Sequence, residues 1–165
     1  MILDVRPILH TPGTGLPFRF ELDLSDLEFF GRRPISRPVA VEGRVRNAAD
    51  VLTLTMTAGT VLDAVCDRCG RMFSQEKCIS YSCMLAEELQ GEDSDEIVLL
   101  EAGKLDVGDL ARTVFILEMD TQTLCSEDCK GLCSRCGANL NDGPCGCRQE
   151  GDPRLAVLAK LLENK

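Results

Sequence analysis

Residues 39–70, VAVEGRVRNAADVLTLTMTAGTVLDAVCDRCG, decide how the chain is read. Val39, Val41 and Val45 alternate with Ala40, Glu42, Arg44 and Arg46, the period of two expected of a strand with one buried and one wet face. Asn47 to Asp50 has the composition of a turn. Leu52, Leu54 and Met56 then alternate with Thr53, Thr55 and Thr57. Gly59 is expected to break this run, and Val61, Leu62, Ala64 and Val65 lead into Cys66-Asp67-Arg68-Cys69-Gly70. Phe73, Ile79 and Tyr81 continue outward on a third strand. The economical reading is an antiparallel meander with a CxxC pair at the tip of a hairpin.

Working outward, residues 87–96 carry Glu87, Glu88, Glu92, Asp93, Asp95 and Glu96 with no base among them, which reads as a solvated loop or mobile insertion. Ile97 to Leu100 can add a strand. From Asp106, a plausible N-cap, apolar residues recur at Val107, Leu110, Ala111, Val114 and Leu117, the spacing of a helix packed on the sheet. A second helix is signalled by Asp152 as cap, Pro153 at its first position and a stripe of Leu155, Leu158, Leu161 and Leu162. The expected fold class is α+β. It comprises an antiparallel meander or barrel-like sheet with one packed helix, a cysteine-rich loop region and a C-terminal helix. Residues 1–101 form a β-rich body and residues 102–165 the helix, cysteine segment and last helix, together one folding unit.

The cysteine segment reads CSEDCKGLCSRCGANLNDGPCGC over residues 125–147. Six cysteines in twenty-three residues, interleaved with glycine and without apolar periodicity, cannot be ordered by burial alone. Zinc takes four soft ligands in a tetrahedron, and two cysteines separated by two residues can turn to one ion. CDRCG and CSRCG share a glycine after the second cysteine, Gly70 and Gly137, where backbone amides can point at sulfur. Two pairings are open. Cys133, Cys136, Cys145 and Cys147 can close a local site while Cys125 and Cys129 join Cys66 and Cys69. Alternatively, the two CxxCG knuckles share one ion. Two structural zinc ions are expected. Cys83 shares parity with Ile79 and Tyr81 and is expected to be a buried core thiol, with Cys78 facing the other way; neither is assigned to metal.

A chain of 165 residues buries a core without disulfides, so ten cysteines point to metal and to a reducing compartment, the cytoplasm. The start has no basic region before an apolar run, and no stretch approaches a membrane span. The formal charge is −9, and two four-thiolate zinc sites, removing eight protons and adding four charges, take it to −13. Such a chain repels phosphate broadly, so any RNA contact is local or indirect. Arg32, Arg33, Arg37, Arg44 and Arg46 oppose only Glu42 in their stretch, and Phe29-Phe30 lies just before. Arginines beside an aromatic pair can grip phosphate and stack bases. The plainer reading makes Arg44 and Arg46 the polar face of a strand and both phenylalanines core.

Catalytic chemistry is missing. His10, the single histidine, sits in a Pro/Gly-rich loop, so there is neither HExxH nor a deaminase HxE, and no GxxxxGK[ST] or GxGxxG occurs. No catalytic residue and no small-molecule substrate are expected.

The CDRC hairpin at 66–69, the run LCSEDCKGLCSRCGANLNDGPCGC at 124–147 and DPRLAVLAKLL at 152–162 resemble the YceD family of bacterial and plastid proteins, over nearly the whole chain. The resemblance implies a role in accumulation or processing of large-subunit ribosomal RNA, in ribosome biogenesis, without enzymatic activity. It also implies ligand roles for Cys66, Cys69, Cys125 and Cys129 and for Cys133, Cys136, Cys145 and Cys147. Cys78 and Cys83 depart from the pattern. The expected partners are large-subunit ribosomal RNA, a ribosomal protein or a pre-ribosomal particle. The alternative is a thiol/zinc redox-responsive regulatory protein, which needs accessible thiolates.

Overall fold

The computed structural model describes residues 1–88 and 97–147. The predicted helix beginning at Asp152 and most of the acidic run lie outside the described residues. The elements are β1 (Ile2–Asp4), α1 (Arg6–Leu9), β2 (Gly15–Leu22), β3 (Val39–Ala48), β4 (Val51–Val65), β5 (Met72–Ala86), β6 (Ile97–Leu99), β7 (Lys104–Asp106) and α2 (Val107–Leu117). Strands β2 to β6 form one sheet in sequence order, and β1 pairs with β7 in a separate ribbon.

The β3–β5 meander is the frame. Its first turn is two residues long, with Ala48 opposite Val51 and Ala49 and Asp50 both left-handed at φ 52° and 65°. That primed turn matches the twist of the flanking strands. Asn47 is not a solvated turn residue: it is fully buried. Its Nδ2 donates to the carbonyls of Ile8 and Leu9 at 2.8 and 2.9 Å, and its Oδ1 accepts from the Asp50 N–H. One amide thus ties α1 to the hairpin and answers groups whose burial would otherwise be costly.

Gly59 does not break β4, which runs unbroken for 15 residues. It marks instead where β3 stops, because the β3–β4 pairing ends at Ala40–Gly59 while β4–β5 pairing continues to Val65–Met72. Beyond Gly59 the hairpin overhangs its neighbour. Residues of the 34–38 loop cover that overhang, with Asp63 N–H donating to the Pro34 carbonyl at 2.8 Å and Thr60 Oγ1 to the Pro38 carbonyl at 3.2 Å.

The inward face carries Val39, Val41, Val45, Leu54, Met56 and Cys83 in one cluster with Val107, Ala111, Val114 and Phe115 of α2. Gly43 interrupts the inward valines because a Cβ there would stand 2.6 Å from the Phe18 ring and 2.4 Å from the Thr55 carbonyl oxygen. Asp106 caps α2 as its position predicts, accepting from the N–H groups of Gly108 and Asp109 at 3.0 and 3.1 Å. The helix turns Phe115 inward, while Leu117, expected in the stripe, is 77% exposed at its rim. Two further differences stand against expectation. There is a second short helix, α1, and β6 joins the sheet parallel to β5, so the sheet is mixed rather than wholly antiparallel.

Candidate metal centres

The β4–β5 hairpin ends in the knuckle Cys66–Gly70. Gly70, at φ 70°, donates its N–H to the Cys66 carbonyl at 2.8 Å, and Cys66 N–H donates to Arg71 at 2.9 Å. The same construction recurs at Cys133–Gly137. There Gly137 has φ 71° and donates to the Cys133 carbonyl at 2.9 Å, and Cys133 N–H donates to Ala138 at 2.8 Å. Glycine is required at both because a side chain is strained in that left-handed conformation. This tight turn leaves amides inside the loop to face the sulfurs.

After α2 the chain returns to the first knuckle. Asp67 N–H donates to the Thr123 carbonyl at 2.9 Å, and Thr123 N–H answers to Asp67 Oδ2 at 2.6 Å. Arg68 reaches across to the Cys129 carbonyl at 3.1 Å. These contacts deliver Cys125 and Cys129 to Cys66 and Cys69. Phe73 and Leu124 pack around this group, in which three of four sulfur-bearing residues are buried.

The eight cysteines expected to be ligands therefore fall into two tetrads, Cys66/Cys69/Cys125/Cys129 and Cys133/Cys136/Cys145/Cys147, each with its sulfurs within 4.8 Å of one another. The two CxxCG knuckles lie in different tetrads. Cys66 Sγ stands 3.7 Å from Cys129 Sγ, and Cys69 Sγ 3.7 Å from Cys125 Sγ. A disulfide would need about 2.05 Å. Tetrahedral zinc with bonds near 2.3 Å sets its sulfurs about 3.8 Å apart. The donor set thus fits a zinc ion, which would supply positive charge to hold four thiolates together, and four sulfurs leave it no open position.

Protonation supports the same fit. The Cys125 N–H foremost, with those of Cys69 and Arg68, lowers the Cys66 thiol to about 6. The Cys136 and Arg135 N–H groups likewise lower Cys133 to about 6. Burial, then the crowding of Cys66, Cys69 and Cys129, pushes Cys125 up to about 12. Cys136 beside it, then burial, pushes Cys147 to about 12. In each tetrad the first thiolate forms readily and the last resists, as expected where like charges converge.

Cys83 is buried and Cys78 exposed, as parity predicts. His10 is exposed. The five arginines divide. Arg44 and Arg46 project from the outer face of β3, while Arg32, Arg33 and Arg37 lie on the loop before it. All five are exposed, and none has a carboxylate partner among the described residues. Arg19, unremarked in the sequence, joins the outer face because β2 places it opposite Glu42. The Phe29-Phe30 pair is split. Phe29 packs against the core, whereas Phe30, at φ 51° in the turn closed by Phe29 and Arg32, is 83% exposed.

Sequence reasoning also missed what surrounds the sulfurs. Asn141 Nδ2 donates to Cys129 Sγ at 3.3 Å, the foremost influence holding that thiol below its ordinary value. Arg71 pairs with Asp142 at 2.8 Å. The one available signal was the turn-forming run Asn139 to Gly143 between cysteine pairs.

A mixed β-sheet carrying one cysteine tetrad at a hairpin tip and a second in the tail defines a cysteine-rich β protein with two candidate structural metal centres. The chain belongs to the YceD family, described as large ribosomal RNA subunit accumulation protein YceD, which it matches over residues 54–162. It is 28% identical over 161 residues to the large ribosomal RNA subunit accumulation protein YCED homolog 1, chloroplastic, of Arabidopsis thaliana, covering 79% of this chain and 50% of that one. It is 29% identical over 131 residues to uncharacterized proteins of Mycobacterium bovis and Mycobacterium tuberculosis, covering 72% of this chain and 59% of theirs. The chain thus spans about half the length of the curated relatives it matches. No solved structure matches it. Among the described residues, no helix is long and apolar enough to cross a membrane.

Proposed function

We propose that the chain is a non-enzymatic ribosome-biogenesis factor of the cytoplasm that supports accumulation or processing of large-subunit ribosomal RNA. Two structural zinc ions stabilise it, one joining its tail to its sheet and one within the tail. Family membership carries this reading, together with the name of the chloroplast relative. A non-catalytic role is supported by tetrads that supply four sulfurs each, filling zinc's coordination. Contact with ribosomal RNA, a ribosomal protein or a pre-ribosomal particle falls to Arg44 and Arg46 and to Arg32, Arg33 and Arg37. These are exposed cations without ion-pair partners in an otherwise acidic chain.

Sucrose-gradient sedimentation tests it. The intact chain is expected to travel with large-subunit precursors, and its deletion to lower large-subunit ribosomal RNA relative to small-subunit RNA. Arg44→Gln/Arg46→Gln and Arg32→Gln/Arg33→Gln/Arg37→Gln should each weaken that association with an unchanged melting temperature. Free sedimentation of the intact chain, with normal ribosomal RNA after deletion, would overturn the reading. One observation favours the redox alternative: the second tetrad is only partly buried and its Cys136 is exposed, within reach of an oxidant.

A further inference from the structure

Asn141 belongs by sequence to the second tetrad, in the loop between Cys136 and Cys145, yet its side chain serves the first. Its Nδ2 donates to Cys129 Sγ at 3.3 Å. The amide cannot present its oxygen instead, because Lys130 N–H already donates to Oδ1 at 2.8 Å. Asn139 braces it from behind, its Oδ1 accepting from Asn141 N–H at 3.0 Å and from Nδ2 at 2.8 Å.

The loop that carries Asn141 is fastened to the first tetrad's own segments at further points. Leu140 N–H donates to the Gly131 carbonyl at 2.9 Å, and Leu132 and Asn139 form a β-bridge. Asp142 pairs at 2.8 Å with Arg71, the residue after the hairpin knuckle. Gly131, at φ 74°, lets this turn lie flush on that knuckle: a Cβ there would stand 3.1 Å from the Arg68 carbonyl oxygen. In sequence residues 139–142 are flanked by Cys133 and Cys136 on one side and Cys145 and Cys147 on the other, whose sulfurs lie within 4.8 Å of one another.

We infer that the two tetrads form one coupled module, in which metal in the second holds the 139–142 loop so that Asn141 gives an outer-sphere N–H to the Cys129 thiolate of the first. The inference rests on the zinc reading of both tetrads. An N–H directed at a metal-bound thiolate spreads its charge and fixes its direction, and losing such an outer partner costs about 10–100-fold in metal affinity. Coupling between two binding sites is reciprocal, so metal in the first tetrad must favour the second by the same factor.

The test uses the full reduced chain with zinc itself as the probe. Native mass spectrometry counts bound ions, and competition against a calibrated chelator gives each affinity. Cadmium-113 NMR on the cadmium-loaded chain separates the sites, with Cys145→Ser/Cys147→Ser assigning the surviving resonance. That double variant should keep one zinc, held at least about 10-fold more weakly than in the intact chain. Asn141→Ala should keep two, with each zinc weakened by about 10-fold while the other is bound and only the first-tetrad resonance moved. Asn141→Asp, of equal size but with an anion facing the thiolate, should lose more than Asn141→Ala. Adding Asn141→Ala to the double variant should cost nothing further. First-site affinity within twofold of the intact chain in Asn141→Ala, or losses that simply add, would overturn the coupling. Should Asn141→Ala shed both metals, the double variant decides, and an unweakened first-site zinc there would overturn it. An intact chain that binds no zinc would defeat the zinc reading itself, an outcome distinct from two uncoupled ions.

Discussion

The two tetrads use one knuckle design to different ends. The first joins residues 56 to 63 positions apart, Cys69 with Cys125 and Cys66 with Cys129, and lies largely buried against Phe73 and Leu124. The second draws its ligands from residues 133–147 alone and is open to solvent at Cys136. A metal that closes a long loop constrains the unfolded chain more than one that closes a short loop, and a buried centre is shielded from competing chemistry. The first tetrad is therefore a staple between sheet and tail, and the second an ordered lobe leaning on it.

The largest effect expected from this contrast is on metal content and melting. Cys66→Ser/Cys69→Ser should lower zinc from two ions to one by elemental analysis and free the tail, as ions of this kind carry about 10–16 kcal/mol of apparent folding free energy. Cys145→Ser/Cys147→Ser should also lose one ion but lower the melting temperature far less, by no more than the weakened first-site zinc entails. Equal melting losses in both would erase the distinction between staple and lobe. Next in size, Asn47→Ala strikes the body far from either tetrad. Stranding the Ile8 and Leu9 carbonyls should cost about 2–3 kcal/mol in urea unfolding, with both zinc ions retained. Loss of zinc there would mean that body and metal lobe unfold as one.

Mild peroxide sharpens the comparison kinetically. Two thiolates of the second tetrad should pass to a disulfide as peroxide is reduced to water, releasing one zinc, seen with a zinc dye, well before the other. Simultaneous release of both would show that burial does not protect the first. The smallest expected effect is at the helix cap, where Asp106→Ala should cost about 1 kcal/mol. Its carboxyl is held below the ordinary value by the Asp109 N–H and by the Met1 ammonium. Because the folded value is the lower one, the cap's contribution is present in full above about pH 4 and fades as pH falls through the depressed value. Melting curves of the variant and the parent chain should thus converge in acid. A gap that persists there would assign the effect to helix propensity.

The meander and the cap of α2 were legible because their signals are local: strict alternation in β3 and β4, and Asp106 ahead of an apolar period. The membership of each tetrad was narrowed to two pairings by spacing and decided only by the return of the chain to the knuckle at Thr123. What stayed hidden depends on distant partners. β2 alternates correctly, but Pro17 argues against a strand until its place at the sheet edge is known, where a missing N–H is tolerated. Asn47 has the composition of a turn and becomes a core residue only because α1 presents two carbonyls to it. The β1–β7 ribbon, three residues on each side, carries too little pattern to be read at all.

That ribbon has a consequence for the order of assembly during synthesis. Ile2 pairs with Asp106 and Asp4 with Lys104, so the amino end waits for about a hundred further residues before it finds its partner strand. The β3–β5 meander needs only its sequence neighbours and can form much earlier, as contacts between distant residues are slow to make. At translation rates of about 5–20 residues per second, the ribbon's second strand is made several seconds after the first. The six tail cysteines follow it. The sheet is thus ready as a template before the tail thiols arrive to be gathered.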